Sequence, residues 1–355
     1  MNEPIFLTLF ILFIAICLAF DLGVLNKKSH EISVKESLIA TMIWISLALI
    51  FFVFLRYFGH LIHHIETMEQ LQAINMAHKH GLVFSPDADF ITNLQLYRNQ
   101  LSLEFITGYT IEYTLSIDNI FVILMIFMSF RVDRKYYHRV LFWGIIGAVV
   151  MRFIFIFSLS ALIHRFEWIL AIFGIFLIFS AIKMFLSRNK KEEISVKDHK
   201  IVKFISKHFS LTPDYIGEKF FAKINHKHYI TPLFLVLLII EFSDVIFAVD
   251  SVPAIFSITQ DFYIVFFSNI FAIIGLRSLF FLLSSIVNLF RFLKAGISVL
   301  LAFIGVKMLL EIIFSVSIGT KNSLIFIIST LTVCILLSLV IPKKEETVLP
   351  DSSCP

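Results

Sequence analysis

Charge is scarce in this chain. Asp, Glu, Lys and Arg together make up 16% of its 355 residues, against about 25% in soluble domains. Hydrophobic residues reach 58%, 42 of them Phe, and the mean hydropathy is +0.89. A soluble fold could not bury that share and keep a polar surface, which excludes a soluble enzyme or a nucleic-acid-binding domain. Cysteine is nearly absent as well: Cys17 and Cys334 fall in apolar runs and Cys354 in the tail, so no disulfide framework is expected. No HExxH, GxSxG or Cys–His constellation occurs in the apolar runs, so neither an enzyme nor a prosthetic group is expected.

What is present is a series of long apolar runs. A helix needs about 20 such residues to cross the hydrocarbon, and nine stretches qualify: 5–25, 38–58, 107–130, 140–163, 167–187, 232–256, 262–286, 293–313 and 322–341. The expected fold is an all-α polytopic membrane protein with about nine transmembrane helices. With the N-terminus outside, Lys27, Lys28 and Lys35, the run RVDRKYYHR (131–139), the 188–230 loop, Arg291, Lys294, Lys343 and Lys344 all become cytoplasmic. Only Arg56, Lys79, Arg98, Arg165 and Lys321 then lie in outer loops, so positive-inside counting predicts an N-out, C-in topology. Residues 1–25 read as an uncleaved span, because the basic pair follows the apolar run and none precedes it. Trp143 and Trp168 sit near span ends, as aromatic belts do.

Three of these spans recur. GAVVMRFIFIFSLSALI (147–163) resembles FAIIGLRSLFFLLSSIV (271–287), FLIFSAIKMFL (176–186) resembles LLAFIGVKMLL (300–310), and SIDNIFV (116–122) resembles FSDVIFA (242–248). Asp118 thus matches Asp244, Arg152 matches Arg277, and Lys183 matches Lys307. The Asp-to-Arg spacings are 34 and 33 residues, and the Arg-to-Lys spacings 31 and 30. An odd number of spans changes side, so the second copy must be inverted, the arrangement common in secondary transporters. The expected organisation is two N-terminal spans (1–58), a His-rich outer loop (59–100), repeat 1 (101–187), a cytoplasmic loop (188–231), inverted repeat 2 (232–313), and a last span with its tail (314–355). The outer loop has helical spacing in its first half and a breaker at Ser85-Pro86. In the inner one, IVKFISKHF favours one helical face and KFFAKINHKHYIT fits a short hairpin.

A charge at the bilayer centre costs roughly 2.5–3.5 kcal/mol on insertion scales, so such residues face a bundle interior or a wet cavity. Here the candidates are Glu112, Asp118, Glu241, Asp244 and Asp250 against Arg152, Arg277, Lys183 and Lys307, with Ser116, Asn119, Ser243 and Asn269 beside them. One reading is mutual neutralisation by structural ion pairs, Asp244 with Arg277 among them. The other is an acidic path for a cation: carboxylate, amide and hydroxyl oxygens without thiolate or intramembrane His suit Mg, Ca or Mn. Asp118 and Asp244 fall near mid-span, Glu112 and Asp250 lie about 9 Å outward at a common depth, and Glu241 shares a face with Asp244. Pro253 displaces the carbonyl of Val249, which is either a further hard-cation ligand or part of a simple kink. Shared carboxylates could also carry protons.

The outer loop holds His60, His63, His64, His78 and His80. His60 and His64 would share a helical face. Metal capture through His60, His64, His78 and His80, pH sensing, and plain solvation are all open to them.

At these residues the sequence resembles the TerC family of membrane proteins, in particular its Alx-like branch. The resemblance rests on EYTLSIDNIFVILMIF (112–127), IEFSDVIFAVDSVPAIFSIT (240–259), SNIFAIIGLRSLFFLL (268–283), FIGVKMLL (303–310) and FDLGVLNKKSHEISVKESL (20–38). It implies a protein of the bacterial cytoplasmic membrane tied to metal-ion homeostasis, chiefly Mn²⁺ export, in a family first named for tellurite resistance. Carried over, Asp118 and Asn119 with Glu241, Asp244 and Asp250 would be its polar core. The His-rich 59–100 segment departs from the pattern, so its role does not carry over. The partners expected are the lipid bilayer, the transported cation and a coupling proton. The sequence does not address the oligomeric state.

Overall fold

The computed structural model describes residues 3–23, 33–166, 168–187, 211–212, 214–224, 227–286 and 292–341. Lys27, Lys28, Arg291, Lys343, Lys344 and the IVKFISKHF segment lie outside the described residues, as does the side chain of Asp118.

The described residues form ten α-helices and one hairpin. Helices α1 (Glu3–Gly23) and α2 (Val34–Phe58) come first, followed by the short α3 (Met68–Ala77). Next are α4 (Phe90–Ser129), α5 (Arg134–Arg165) and α6 (Ile169–Ser187). The antiparallel pair β1 (Phe221–Ile224) and β2 (Lys227–Ile230) precedes α7 (Pro232–Phe256), α8 (Phe262–Ile286), α9 (Leu293–Phe314) and α10 (Thr320–Val340). The hairpin falls where KFFAKINHKHYIT suggested it. Seven helices (α2, α4, α5, α6, α7, α9 and α10) are long and apolar enough to cross a bilayer, and α8 makes eight if its two halves, bent by 41°, count as one span. In α1 the apolar run is the shorter Ile5–Ala19.

Polar residues at the helix starts explain the boundaries. Ser33 and Glu36 form a capping box on α2, Thr67 and Gln70 another on α3, and Asp89 accepts from Thr92 N at 3.0 Å at the start of α4. This last cap shifts a boundary: residues 90–100, expected in the outer loop, are the first turns of α4. At 40 residues that helix is about 60 Å long, twice the hydrocarbon thickness, so one end of it projects beyond the membrane and carries the His-rich segment.

The bundle is centred on α8, whose residues are buried almost all round, from Ile264, Val265 and Phe267 to Phe280, as expected of an apolar helix at a core. Its bend falls at Gly275, between Ile274 and Leu276. Against α8 pack α4, α5 and α2; α7 lies between α4 and α5, and α6 pairs with α9. Phenylalanine supplies much of the contact: the Phe10 ring sits 4.2 Å from Phe267 and close to Phe51, Phe266 and Phe271. Where α6 crosses α9, a Cβ on Gly305 would lie 2.7 Å from the Gly174 carbonyl, the small-residue contact by which membrane helices pack. Large apolar side chains of α1, α2, α5, α6 and α10 point outward, Ile16, Ile50, Phe157, Phe179 and Leu339 among them. In a bilayer these meet lipid.

Candidate functional site

The centre of the bundle is organised by one arginine. Arg152, on α5, is fully buried and each nitrogen of its guanidinium faces a protein acceptor. Nε and Nη2 donate to the two oxygens of Asp244 at 3.2 Å each, while Nη1 donates to Glu112 Oε1 at 2.5 Å and to Ser251 Oγ and Asn269 Oδ1 at 3.1 Å. Asn269 Nδ2 returns a hydrogen bond to Glu112 Oε2 at 3.0 Å. Residues from α4, α5, α7 and α8 thus meet around one planar cation, in the forked geometry that suits Arg and carboxylate. Acids outnumber bases here: two carboxyl groups face one guanidinium, and Glu241, one turn from Asp244 on α7, adds a third acid. The Glu241 carboxylate lies so close to Gly147 of α5 that a Cβ there would overlap it.

The two carboxylates on Arg152 differ in access. Glu112 has no exposed side-chain area, whereas Asp244 is 15% exposed. Asp244 borders an open, mostly apolar pocket of about 130 Å³ lined also by Arg152, Ser158, Met151, Ile154 and Phe155.

Other candidates lie elsewhere. Asp250 faces α6, where Ser180 Oγ donates to it at 3.1 Å. Among the described residues it shares no polar partner with Glu112. Ser243 turns back onto its own helix, donating to the Ile239 carbonyl, because a serine inside a helix can satisfy itself this way. Asn119 is buried, and the buried Ser116 Oγ has no hydrogen-bond partner. Arg277 meets His138 Nε2 at 2.8 Å, and the partner of Asp244 is Arg152, not Arg277. Lys307 is buried and feels the charges of Glu311 and Glu104, whereas Lys183 is exposed and its charge acts on Asp250. Helix α7 runs through Pro253 to Phe256. Sequence reasoning missed Ser251 and Ser180, although Ser251 stands beside Asp250 in the AVDSVP motif.

The histidines also sort differently from expectation. No helix spans 60–64: α2 ends at Phe58 and His64 has φ +52°. His60 accepts from Arg98 Nε at 3.1 Å, and His64 is half-exposed near Glu66. His78 and His80 instead gather with His63, Glu104 and Asp261 at the end of the bundle. His63 Nε2 lies 2.9 Å from Asp261 Oδ2, and His80 Nδ1 lies 3.0 Å from both oxygens of Glu104. Thr259 Oγ1 and Gln100 Nε2 also donate to Glu104. Burial pushes the His78 pKa down. For His80, burial acts the same way but the Glu104 charge and hydrogen bond outweigh it, so its pKa is raised. Asp261 is held well below the usual carboxylate range, because the neighbouring histidines outweigh the effect of burial. Asp261 was readable as the residue before the apolar run FYIVFF, where a helix cap belongs: its Oδ1 accepts from Tyr263 N at 2.9 Å.

With this geometry in hand, residues 97–346 match the model of the integral membrane protein TerC family. The chain belongs to the TerC family. TerC relatives extend along nearly its whole length. A membrane protein of Myxococcus xanthus, itself uncharacterised, is 38% identical over 98% of this chain and 95% of its own. An Alx protein of Photorhabdus laumondii is 37% identical over 98% of both chains, and that of Escherichia coli K12 is 38% identical over 91% of both. The name of these two gives membrane-bound redox modulation as their proposed role. No solved structure matches this TerC chain.

Proposed function

We propose that this TerC protein is a secondary transporter, not an enzyme, that exports a divalent cation, Mn²⁺ best fitting the oxygen ligands, across the bacterial cytoplasmic membrane. The observation that carries the reading is the buried excess of acid: Glu112 and Asp244 share the single guanidinium of Arg152, Glu241 stands one turn from Asp244, and Asp244 borders a pocket. A divalent cation, or a proton, offsets such an excess. In this arrangement Arg152 acts as a resident counter-ion. Cargo reaching Asp244 displaces the guanidinium, and Arg152 resets the site after release.

The finer topology belongs to the same reading. Counting α1, nine spans run N-out and C-in, with α4–α6 and α7–α9 as inverted copies that rock against each other for alternating access. The neighbour pattern supports it: α4 packs on α7 and α8, α7 packs on α4 and α5, and α6 pairs with α9, as an exchange of the two copies requires. Under that symmetry Asp118 takes the position in copy 1 that Asp244 holds in copy 2, and it joins the ion path with Asn119 and Asp250 on either side. Proton exchange drives export.

The test is metal uptake into inside-out vesicles, comparing Mn²⁺ with Ca²⁺, Mg²⁺ and Zn²⁺. Mn²⁺ should accumulate in vesicles carrying the protein, and substitution of Asp118 or Asp244 by Ala should abolish uptake and raise cellular Mn under Mn load. Equal uptake with and without the protein would refute export.

One observation favours a second reading. The Arg152 hydrogen bonds are satisfied by protein groups alone, as in a structural ion pair of an assembly factor that transports nothing. In that case Asp244→Asn combined with Arg152→Gln leaves function intact, and proteins rather than metal co-purify.

A further inference from the structure

The histidine cluster at the end of the bundle has a chemistry different from that of the membrane acids. His63, His78 and Asp261 each offer a ligand atom, and these atoms lie within 4.8 Å of one another. The His63 and His78 rings are 4.9 Å apart and His80 follows at 5.9 Å from His78. Two buried imidazole nitrogens, His78 Nδ1 and His80 Nε2, have no hydrogen-bond partner, and the His80 side chain is fully buried. Buried polar nitrogens are rarely left so. A bound cation would satisfy them.

We propose that His63, His78 and Asp261 form a binding site for a late first-row divalent cation, best matched by Zn²⁺, which ties the 59–89 segment to the start of α8. Two imidazoles and one carboxylate make an N₂O set of the kind zinc accepts, with the fourth position left for His80 or water. Tetrahedral ligands on zinc stand about 3.3 Å apart, so the cluster, whose ligand atoms lie within 4.8 Å of one another, would close by up to about 1.5 Å on binding. Imidazole favours Zn²⁺ and Cu²⁺ over Mn²⁺ in the usual affinity order, so this site and the intramembrane acids select different metals. Glu104 is placed as a supporting group: its carboxylate holds His80 Nδ1 and leaves Nε2 without a hydrogen-bond partner among the described residues, so a metal taking His80 as fourth ligand would complete a carboxylate–histidine–metal arrangement. Asp261 and Glu104 together offset the dication in a buried setting. Asp261 also caps α8, so occupancy would fix the loop that follows the α7 acids.

The proposal stands apart from the transport reading and its test separates the two. The full chain, purified in detergent without a polyhistidine tag and stripped with chelator, is titrated with Zn²⁺ against a chromophoric competitor, and retained metal is counted after gel filtration. Wild type is expected to retain one Zn²⁺ per chain, and Co²⁺ in its place should give the intense visible bands of a low-coordinate nitrogen site. His63→Gln with His78→Gln should lose that equivalent, His60→Ala with His64→Ala should keep it, and Glu104→Gln should weaken it by about 10–100-fold. Should the double variant misfold, His78→Gln alone serves, since it leaves the His63–Asp261 contact in place. No retained Zn²⁺ in wild type, or wild-type affinity in folded His78→Gln, would overturn the site. Glu112→Gln should leave zinc retention unchanged even if it abolishes Mn²⁺ export, so failure of one reading does not pass to the other.

Discussion

Replacing Arg152 by Met keeps the length of the side chain and removes its charge. Five N–H···O contacts disappear. Glu112, without any exposed area, is left with Asn269 and Ser251 as hydrogen-bonding partners, while Asp244 keeps its partial exposure. Removing one partner of a buried pair costs about 3–5 kcal/mol, because the stranded charge loses its compensation. The loss should fall on the Glu112 side, since Asp244 is partly exposed and Glu112 is not. Arg152→Met should therefore lower unfolding free energy by about 3–5 kcal/mol, read by reversible SDS unfolding in mixed micelles. Adding Glu112→Gln should recover part of it, with a coupling of about 1–3 kcal/mol in the double-mutant cycle. Arg152→Lys should fall between, since an ammonium cannot make the fork to Asp244. A loss under about 1 kcal/mol, or zero coupling to Glu112, would show that the acids are neutralised some other way.

Further outcomes follow from individual contacts. Gly305→Ala sets a methyl against the Gly174 carbonyl, which is backbone and cannot swing away, so it should cost about 1–3 kcal/mol and separate α6 from α9 in a cysteine cross-linking assay; an unchanged cross-link would contradict that crossing. Gly147→Ala instead meets the end of the Glu241 side chain, which can rotate, so Mn²⁺ flux should change while the melting temperature holds; the reverse pattern would place Glu241 in a structural role. His80 has a raised pKa through Glu104, so its protonated form is favoured by folding. That stabilisation is present below the ordinary histidine pKa of about 6.5 and is lost as pH rises through the folded value. The melting-temperature gap between wild type and Glu104→Gln should thus be widest near pH 6 and shrink toward pH 9, and a gap independent of pH would count against the pair.

The apolar runs, the hairpin and the helix before Ser85-Pro86 were legible because each depends on spacing along one strand of chain. Lateral choice was not. Helical periodicity gives a residue its face and height, but which neighbour stands opposite depends on how closely two helices approach, and here glycines set that distance. A Cβ on Gly108 would lie 2.8 Å from Ser268 Oγ; with it absent, α4 closes on α8, and Glu112, one turn along from Gly108, comes level with Asn269, the residue after Ser268. Gly147 lets α5 close on α7 at Glu241, and Arg152, five residues on, then reaches Asp244. The ion-pair reading set Asp244 with Arg277, yet those two residues sit on helices joined by a short turn, whereas α5 packs on α7. Arg152 therefore binds Glu112 of α4 and Asp244 of α7 together. Under the proposed inverted repeat, the second of these pairs joins one copy to the other and lies where a rocking motion would part it. The charge that stabilises the bundle at rest is then the charge a cation has to replace.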